Sequence, residues 1–471
     1  MVETCDICVI GAGSGGLSVA AGSAQMGAQV VLIEKGEMGG DCLNTGCVPS
    51  KALIAAAHAA QAGREAARFG VDFDPPKIDF ARVHAHVHGV IASIAPHDSV
   101  ERFEGLGVRV IKGHARFVDD SHVEVDGIRI KARRFVVATG SRAALPPVPG
   151  LKETPHLTNE TVFTLTEAPT TLTVIGGGPI GIELAQAFAR LGSRVTVLEL
   201  FSILPRDEPE AVAILRERLV AEGIEIRENV AIESVAGSEG DVRVTLKGGE
   251  SIAATHLLVA AGRSPNVEDL GLEAAGITYD AKKGVEVDAR LRTSNRRVFA
   301  IGDVAGGPQF THIAGYHSGI VIRNALFMLP AKVDYGALPW VTYADPELAH
   351  VGLTEAQARK DGHDVRTLVE PLSGNDRARA EARPDGVTKI VLDKRGRILG
   401  ATILAPGAGE QIGLWGLAIS RRMKIGAVAG MILPYPTLGE TGKRASGSWF
   451  TPTLYGPRMR RIVGLIQRFL P

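Results

Sequence analysis

An α/β fold built on two copies of one parallel-sheet unit is predicted for this 471-residue chain by three observations. A strand, glycine turn, helix, strand and acid follow one another from Ile7, and the same series returns from Thr171. Each copy carries GxGxxG between its first strand and its helix. The interval from first glycine to closing acid is the same in both, Gly11 to Glu34 and Gly176 to Glu199. Composition agrees: 56 glycines, 45% hydrophobic residues and only 5% aromatics suit many tight turns around a sizeable core and exclude disorder. The length allows roughly three domains at about 100–200 residues each.

In the first copy, Ile7-Cys8-Val9-Ile10 is an apolar burst fit for a buried parallel strand. Gly11, Gly13 and Gly16 follow, with a small-residue helix predicted over 17–27 and a second strand over 29–33 ending at Glu34. Gly11 makes the tight turn, Gly13 lets a pyrophosphate approach the backbone, and Gly16 lets helix and strand pack closely. The helix N-terminus then presents partial positive charge to the phosphates, and Glu34 accepts hydrogen bonds from a ribose. This is the Rossmann-like dinucleotide fingerprint.

Gly39-Gly40-Asp41-Cys42-Leu43-Asn44-Thr45-Gly46-Cys47-Val48-Pro49-Ser50-Lys51 follows directly. On a regular helix five residues turn about 500° and rise about 7.5 Å, which would part the two thiols. For them to meet, the Asn-Thr-Gly insert has to loop, and Gly46 allows it. Pro49 suits a first helical turn, which places Cys47 at a helix N-terminus where a thiolate is stabilised. Cys5 and Cys8 lie in the first strand. Residues three apart in a strand point to opposite faces, and both are expected to be packing residues.

The second copy runs Thr171 to Ile175, then Gly176, Gly178 and Gly181, then Arg194 to Leu198 and Glu199. Two complete copies are far more specific than one isolated glycine run, and two dinucleotide sites in one chain imply electron traffic between two carriers. Glu199 is followed by Leu200 and Phe201, not by an arginine that could clamp a 2′-phosphate, which favours NAD. Arg206 lies nearby, so NADP is not excluded.

Charge and cysteine usage narrow the class. Lys plus Arg and Asp plus Glu are both 52, and a net charge of zero argues against nucleic acid as a partner. All 4 cysteines lie in the first 47 residues, too clustered to staple the chain as a secreted disulfide framework. No metal centre is expected. The uncharged stretch from Ile7 to Ile33 is broken by six glycines into two apolar bursts, and the start of the chain is acidic, so neither a membrane span nor a signal peptide is read there. A soluble, cytoplasmic protein is expected. The neutral total nevertheless hides an asymmetry. Residues 441–471 hold six basic and no acidic residues, which leaves 46 basic against 52 acidic before them. Met459, Ile462, Val463, Leu465, Ile466, Phe469 and Leu470 interleave with arginines at amphipathic-helix spacing. A terminal helix packed on the protein's own body is expected, the alternative being peripheral membrane or partner contact through its basic face.

The GGDCLNTGCVPSKAL segment resembles the redox-active stretch of the FAD-dependent pyridine nucleotide-disulfide oxidoreductases, class I, a group that includes dihydrolipoamide dehydrogenase, glutathione reductase and mercuric reductase. The resemblance spans nearly the whole chain. Val136 to Ser141 and Val259 to Asn266 resemble the family's chain crossings out of and back into its FAD domain. Val298 to Asp303 resembles the second FAD motif, and Val341 to Glu347 the opening of the dimerisation domain. The resemblance implies two Rossmann-like domains for FAD and NAD plus a C-terminal α+β dimerisation domain. The FAD domain would comprise residues 1–148 and 275–338, the NAD(P) domain 149–274, and the interface domain with its basic tail 339–471. FAD would lie on Gly11, Gly13, Gly16, Glu34, Lys51, Ala115, Thr139, Gly140, Asp303 and Thr311. NAD would lie on Gly176, Gly178, Gly181, Glu199 and Gly262. Lys51 would pair with Glu183 beside the flavin, as a buried charge needs a partner. Cys42 and Cys47 would form the redox disulfide, with Cys47 against the flavin and Cys42 as the interchange thiol.

Members that handle dithiols carry His-Pro-Thr-x-x-Glu near the C-terminus, with the His supplied by the partner subunit of a homodimer as proton shuttle. Here Tyr435-Pro436-Thr437-Leu438-Gly439-Glu440 keeps Thr437 and Glu440 but has Tyr435 at the His position. A phenol of pKa about 10 is a poor base near neutrality. Mercuric reductases resemble the chain in that tyrosine, but no cysteine follows Cys47 to deliver a metal. His312 and His317 are read as packing beside the flavin, with a replacement base as the alternative. The leading expectation is an NADH-driven, dihydrolipoamide-dehydrogenase-like enzyme acting on a small-molecule acceptor. The alternatives are a mercuric-reductase-like metal or quinone reductase, and a non-catalytic flavoprotein docked to a membrane or complex.

Overall fold

The computed structural model describes residues 2–470, which form two compact units. The first holds the described residues up to Glu65 with Phe73–Leu200 and Asn229–Val333. The second holds Ala66–Asp72, Phe201–Glu228 and the described residues from Asp334 onward.

The site-bearing elements of the first unit are, in order, β1 (Val2–Ile10), α1 (Ser14–Gln25), β2 (Val30–Glu34), α2 (Gly40–Asn44), α3 (Cys47–Glu65), β3 (Val108–Lys112), β4 (Ile128–Val137), β5 (Thr171–Ile175), α4 (Pro179–Arg190), β6 (Arg194–Leu198), β7 (His256–Val259), β8 (Val298–Ala300) and α5 (Thr311–Ala325). Strands β3, β2, β1 and β4 lie side by side in that order, all parallel, and β8 runs parallel against the end of β4. The apolar run of β1 is buried on both faces. Ile7 and Val9 join Val30 and Leu32 in one core, while Cys8 and Ile10 join Val31 and Ile33 in another. This two-sided burial is why the strand reads as a continuous hydrophobic burst and does not alternate. A second parallel set places β5 between β6 and β7.

The repeat extends to individual hydrogen bonds. Gly11 N–H donates to Ile33 O at 2.8 Å, and Gly176 N–H to Leu198 O at 2.9 Å. Ala138 N–H donates to Ile10 O and Ala260 N–H to Ile175 O, both at 2.8 Å. The same backbone turn is therefore closed twice by the same partners.

One local expectation differs. Cys5 and Cys8 enter the same core cluster. The N–H groups of Asp6 and Ile7 both donate to Gln29 O, at 2.9 and 3.1 Å, where β1 begins to pair with β2. Burial pushes the Cys5 thiol up to about 12 and the Cys8 thiol well above its ordinary value, so both stay protonated packing residues.

The second unit contains an antiparallel five-stranded sheet of β9 (Pro339–Thr342), β10 (Glu347–Gly352), β11 (Val365–Pro371), β12 (Val387–Asp393) and β13 (Ile398–Ala405), in the spatial order β9-β10-β13-β12-β11. Helix α6 (Ala408–Ser420) buries Ile412, Trp415 and Ala418 in the sheet's core, and α7 (Glu440–Ser448) adds Ala445. Helix α8 (Pro457–Ile466) buries no residue. The basic segment thus divides: its first part packs within the second unit, and its last part stands in solvent, contrary to the expected packed terminal helix.

An unexpected ion cluster ties this sheet to the helix Pro209–Ala221. Lys389 Nζ on β12 lies 2.9 Å from Glu208, 2.9 Å from Glu210 and 2.8 Å from Glu355. Lys389 and Glu208 are almost wholly buried. Burial disfavours the ammonium charge, but the three carboxylates outweigh it and raise the lysine's pKa. Lys389→Met is expected to cost about 3–5 kcal/mol in denaturant unfolding, because Glu208 is left as an uncompensated buried charge. Adding Glu208→Gln should recover part of that loss, and no recovery would show that the lysine acts through packing alone.

Candidate active site

The cysteine segment folds as two short pieces. Cys42 lies in α2, Thr45 and Gly46 interrupt, and Cys47 opens α3. Ser50 N–H donates to Gly46 O at 3.1 Å, closing the first turn of α3 behind Cys47. The loop and the helix start are those the spacing requires. Cys47 Sγ lies 3.2 Å from Thr311 Oγ1 at the start of α5. The thiol of Cys42 hydrogen-bonds that of Cys47, and this contact most lowers the Cys47 pKa; Thr311 and the Lys51 charge add to it against burial. The same contact, with burial, raises Cys42. The pair is polarised, with Cys47 the thiolate and Cys42 the thiol.

Lys51, one turn along α3, places Nζ 2.7 Å from Glu183 Oε2 on α4. Glu183 is nearly buried and Lys51 is partly open. Residues 132 apart in the chain are thus joined as the resemblance implies.

The two nucleotide turns fit dinucleotides on geometric grounds. Gly11 and Gly176 have φ of +105° and +113°, and a side chain on either would collide with the carbonyl of Ala138 or Ala260. A Cβ on Gly16 would sit 1.9 Å from Gly11 O, and one on Gly181 2.0 Å from Gly176 O. In contrast, nothing lies within 4 Å of a Cβ on Gly178, and nothing nearer than 4.0 Å of one on Gly13. These open positions are the N-caps of α1 and α4, and no side chain caps either helix. Each turn therefore offers bare N–H groups to a phosphate. Glu34 accepts from Ala12 N–H at 2.5 Å and Gly36 N–H at 2.6 Å, and Glu199 from Gly177 N–H at 2.7 Å. Both acids are held at the rim of the turn by these backbone donors.

The two stretches read as chain crossings lie together. Ser141–Ala143 pairs antiparallel with Arg263–Pro265. Thr139 Oγ1 donates to Asn266 O at 2.7 Å, Asn266 Nδ2 to Thr139 O at 2.9 Å, and Asn266 N–H to Gly140 O at 2.9 Å. Gly262 precedes this ladder at φ +125° with open space beside it. Asp303 accepts from Ser141 Oγ at 2.5 Å, and burial raises its pKa. Ala115 is buried in the adjoining core.

Sequence reasoning missed the network beneath the cysteines. Asp41, next to Cys42, accepts from Arg263 Nη2 at 3.0 Å, Asn159 Nδ2 at 2.9 Å and Thr45 Oγ1 at 2.8 Å. Arg263 Nε also donates to Ser141 Oγ at 2.7 Å. Asp41 and Thr45 flank the cysteines and Arg263 stands in the returning crossing, so each was visible in the sequence, but no spacing rule joins them.

His317 is buried, and its Nδ1 accepts from Gly302 N–H at 3.1 Å. Burial lowers its pKa to about 4, so it supports the Asp303 turn as a neutral ring. His312 stacks on Phe310. In the second unit, Tyr435 is 71% exposed and donates its hydroxyl to Asp376 Oδ2 at 3.0 Å, which raises its pKa. Glu440 accepts from Thr437 N–H at 3.2 Å.

Two dinucleotide turns, a polarised cysteine pair at a helix start and a lysine paired with a nearly buried carboxylate define a flavin- and nicotinamide-dependent disulfide oxidoreductase. The chain belongs to the pyridine nucleotide-disulphide oxidoreductase family: that family's model matches residues 5–318, and its dimerisation-domain model matches 338–446. It is an FAD- and NAD(P)-dependent enzyme of that family. The chain is 39% identical to a dihydrolipoyl dehydrogenase of Geobacillus stearothermophilus over 456 residues, covering 94% of this chain and 96% of the relative. It is 35% identical to a mercuric reductase of Lysinibacillus sphaericus over 446 residues, covering 94% and 82%. It superposes on the Cu(II) complex of the HOCl-induced flavoprotein disulfide reductase RclA from Escherichia coli with a TM-score of 0.85 at 30% identity, covering 93% and 99%.

Proposed function

We propose that the enzyme works as a homodimer and passes electrons from NADH to a small acceptor through Cys42 and Cys47. The observation that carries this reading is the polarised thiol pair, with Cys47 at the start of α3 beside Thr311 and Lys51. Residues 1–148 and 275–338 would hold FAD, 149–274 the nicotinamide nucleotide, and 339–471 the subunit interface. Glu199 followed by Leu200 supports NADH over NADPH.

Bound FAD supplies the two-electron relay between the nicotinamide and the disulfide. On reduction the Cys42–Cys47 bond breaks. Cys47 leaves as a thiolate held by Thr311 and the Lys51 charge, and Cys42 takes a proton as the thiol. Cys42 then gives up that proton and attacks one sulfur of an acceptor disulfide, expelling the other as thiolate. Cys47 attacks the mixed disulfide, releases the second acceptor thiolate and restores the Cys42–Cys47 bond. The Lys51–Glu183 pair holds its charge at the flavin site, and Glu440 fixes the backbone at Thr437 beside Tyr435.

Tyr435 favours a second reading of the acceptor, a metal ion or metal–thiolate complex. Its hydroxyl is committed to Asp376 and its pKa is raised, so near neutrality it donates a hydrogen bond and does not accept a proton. Relatives named mercuric reductase and a related structure holding Cu(II) support that direction. A screen of NADH oxidation with lipoamide, oxidised glutathione, a mercuric–thiolate complex, Cu(II) and a quinone separates the readings. Tyr435→His is expected to raise lipoamide reduction by about 10–100-fold. An unchanged rate would show that the tyrosine is not what limits dithiol chemistry.

A further inference from the structure

We infer that α8 is a docking element for an anionic lipid surface. The chain is well anchored as far as Trp449, where the Arg366 guanidinium lies 4.3 Å from the ring centroid. From Thr451 to Leu470 every residue but Gly456 and Met459 is exposed. Within α8 the exposed apolar side chains include Ile462, Val463, Leu465 and Ile466, with Leu465 57% exposed. Phe469 just beyond is 81% exposed. Apolar side chains of this size do not stand in water at such density without a partner surface.

The helix geometry sorts these residues. At about 100° per residue, Met459, Ile462, Val463, Leu465 and Ile466 fall on one arc of about 160°. Arg460, Gly464 and Arg461 take the opposite side. Arg458, in the first turn, falls within the apolar arc between Leu465 and Ile462, where its long stem can run along that face and carry its charge past the helix start. Gly456 and Pro457 start the helix, and no acidic residue occurs between Thr441 and Leu470.

Charge decides the occupant. A second copy pairing through the same arc would bring Arg458 of each helix into the apolar seam with no carboxylate to offset it, so self-pairing is disfavoured. The dimerisation-domain match also ends at residue 446, before α8 begins. An amphipathic helix with an apolar arc flanked by arginines suits burial in the plane of a lipid surface whose headgroups carry negative charge. No helix among the described residues is long and apolar enough to cross a membrane, so α8 would lie on the surface.

The test sediments the intact flavoenzyme with vesicles of phosphatidylcholine alone or of equal parts phosphatidylcholine and phosphatidylglycerol. Binding is expected to the anionic vesicles, to weaken with added salt, and to be lost on truncation after Phe450. Arg460→Glu and Arg461→Glu should each cost about fivefold or more in the partition coefficient. Leu465→Asp should abolish binding while NADH oxidation by the enzyme stays unchanged. Equal binding to both vesicles, or binding that survives truncation, would overturn the inference. So would a change of molar mass by light scattering on truncation, which would make α8 a subunit contact.

Discussion

Replacing Cys47 with serine is expected to lower NADH-driven acceptor reduction by on the order of 10³-fold or more while leaving FAD bound and the unfolding temperature unchanged. The thiol is exposed, and the neighbour it meets across the site is Thr311, so serine removes chemistry and little packing. The partner substitution separates the two roles. With Cys42→Ser, the Cys47 thiolate remains beside the flavin, and a long-wavelength charge-transfer absorbance should persist without turnover. With Cys47→Ser that absorbance should be absent at every pH. The reverse assignment of the band would overturn the polarity of the pair. In the reduced enzyme the band should fade as falling pH protonates Cys47, with a midpoint below the ordinary thiol value of about 8.5. Lys51→Met removes a cation that favours the thiolate, so the midpoint should move upward.

Gly16→Ala is the second large effect. The new Cβ would stand 1.9 Å from the Gly11 carbonyl, a backbone atom held in the turn that joins β1 to α1. Neither side can yield without opening that turn, so a loss of about 3 kcal/mol or more in stability is expected, and protein that does fold should purify without flavin colour. Gly178→Ala is the informative contrast. Its Cβ meets nothing within 4 Å, so the folded chain and its flavin should be unaffected. The methyl would nevertheless occupy the approach to the second helix N-terminus, and the NADH KM should rise while kcat with saturating NADH holds. Equal behaviour of the two variants would show that the repeats do not serve separate nucleotides.

Elements governed by local chemistry were legible in the sequence. The strands Thr171–Ile175 and Arg194–Leu198 end where the apolar runs end, and Cys47 opens its helix because Gly46 and Pro49 frame it. What escaped was set by distant contacts. Nothing near Asp41 announces Arg263, 222 residues away, and nothing near Lys389 announces Glu208. The shared cluster of Cys5 and Cys8 escaped for a related reason: it depends on what packs around the end of the strand, which strand periodicity cannot express. The tail was misjudged because amphipathic spacing shows that an apolar face exists but not what covers it.

The short ladder between Ser141–Ala143 and Arg263–Pro265 has a mechanical consequence. A lobe hung on one covalent connection can twist freely about it. Here the outgoing and returning connections are stitched to each other, and Asn266 clamps Thr139 and Gly140 beside them. Two stitched strands resist torsion where a single connection would not, so the turn at Gly262 is held in register with Thr139 and Gly140.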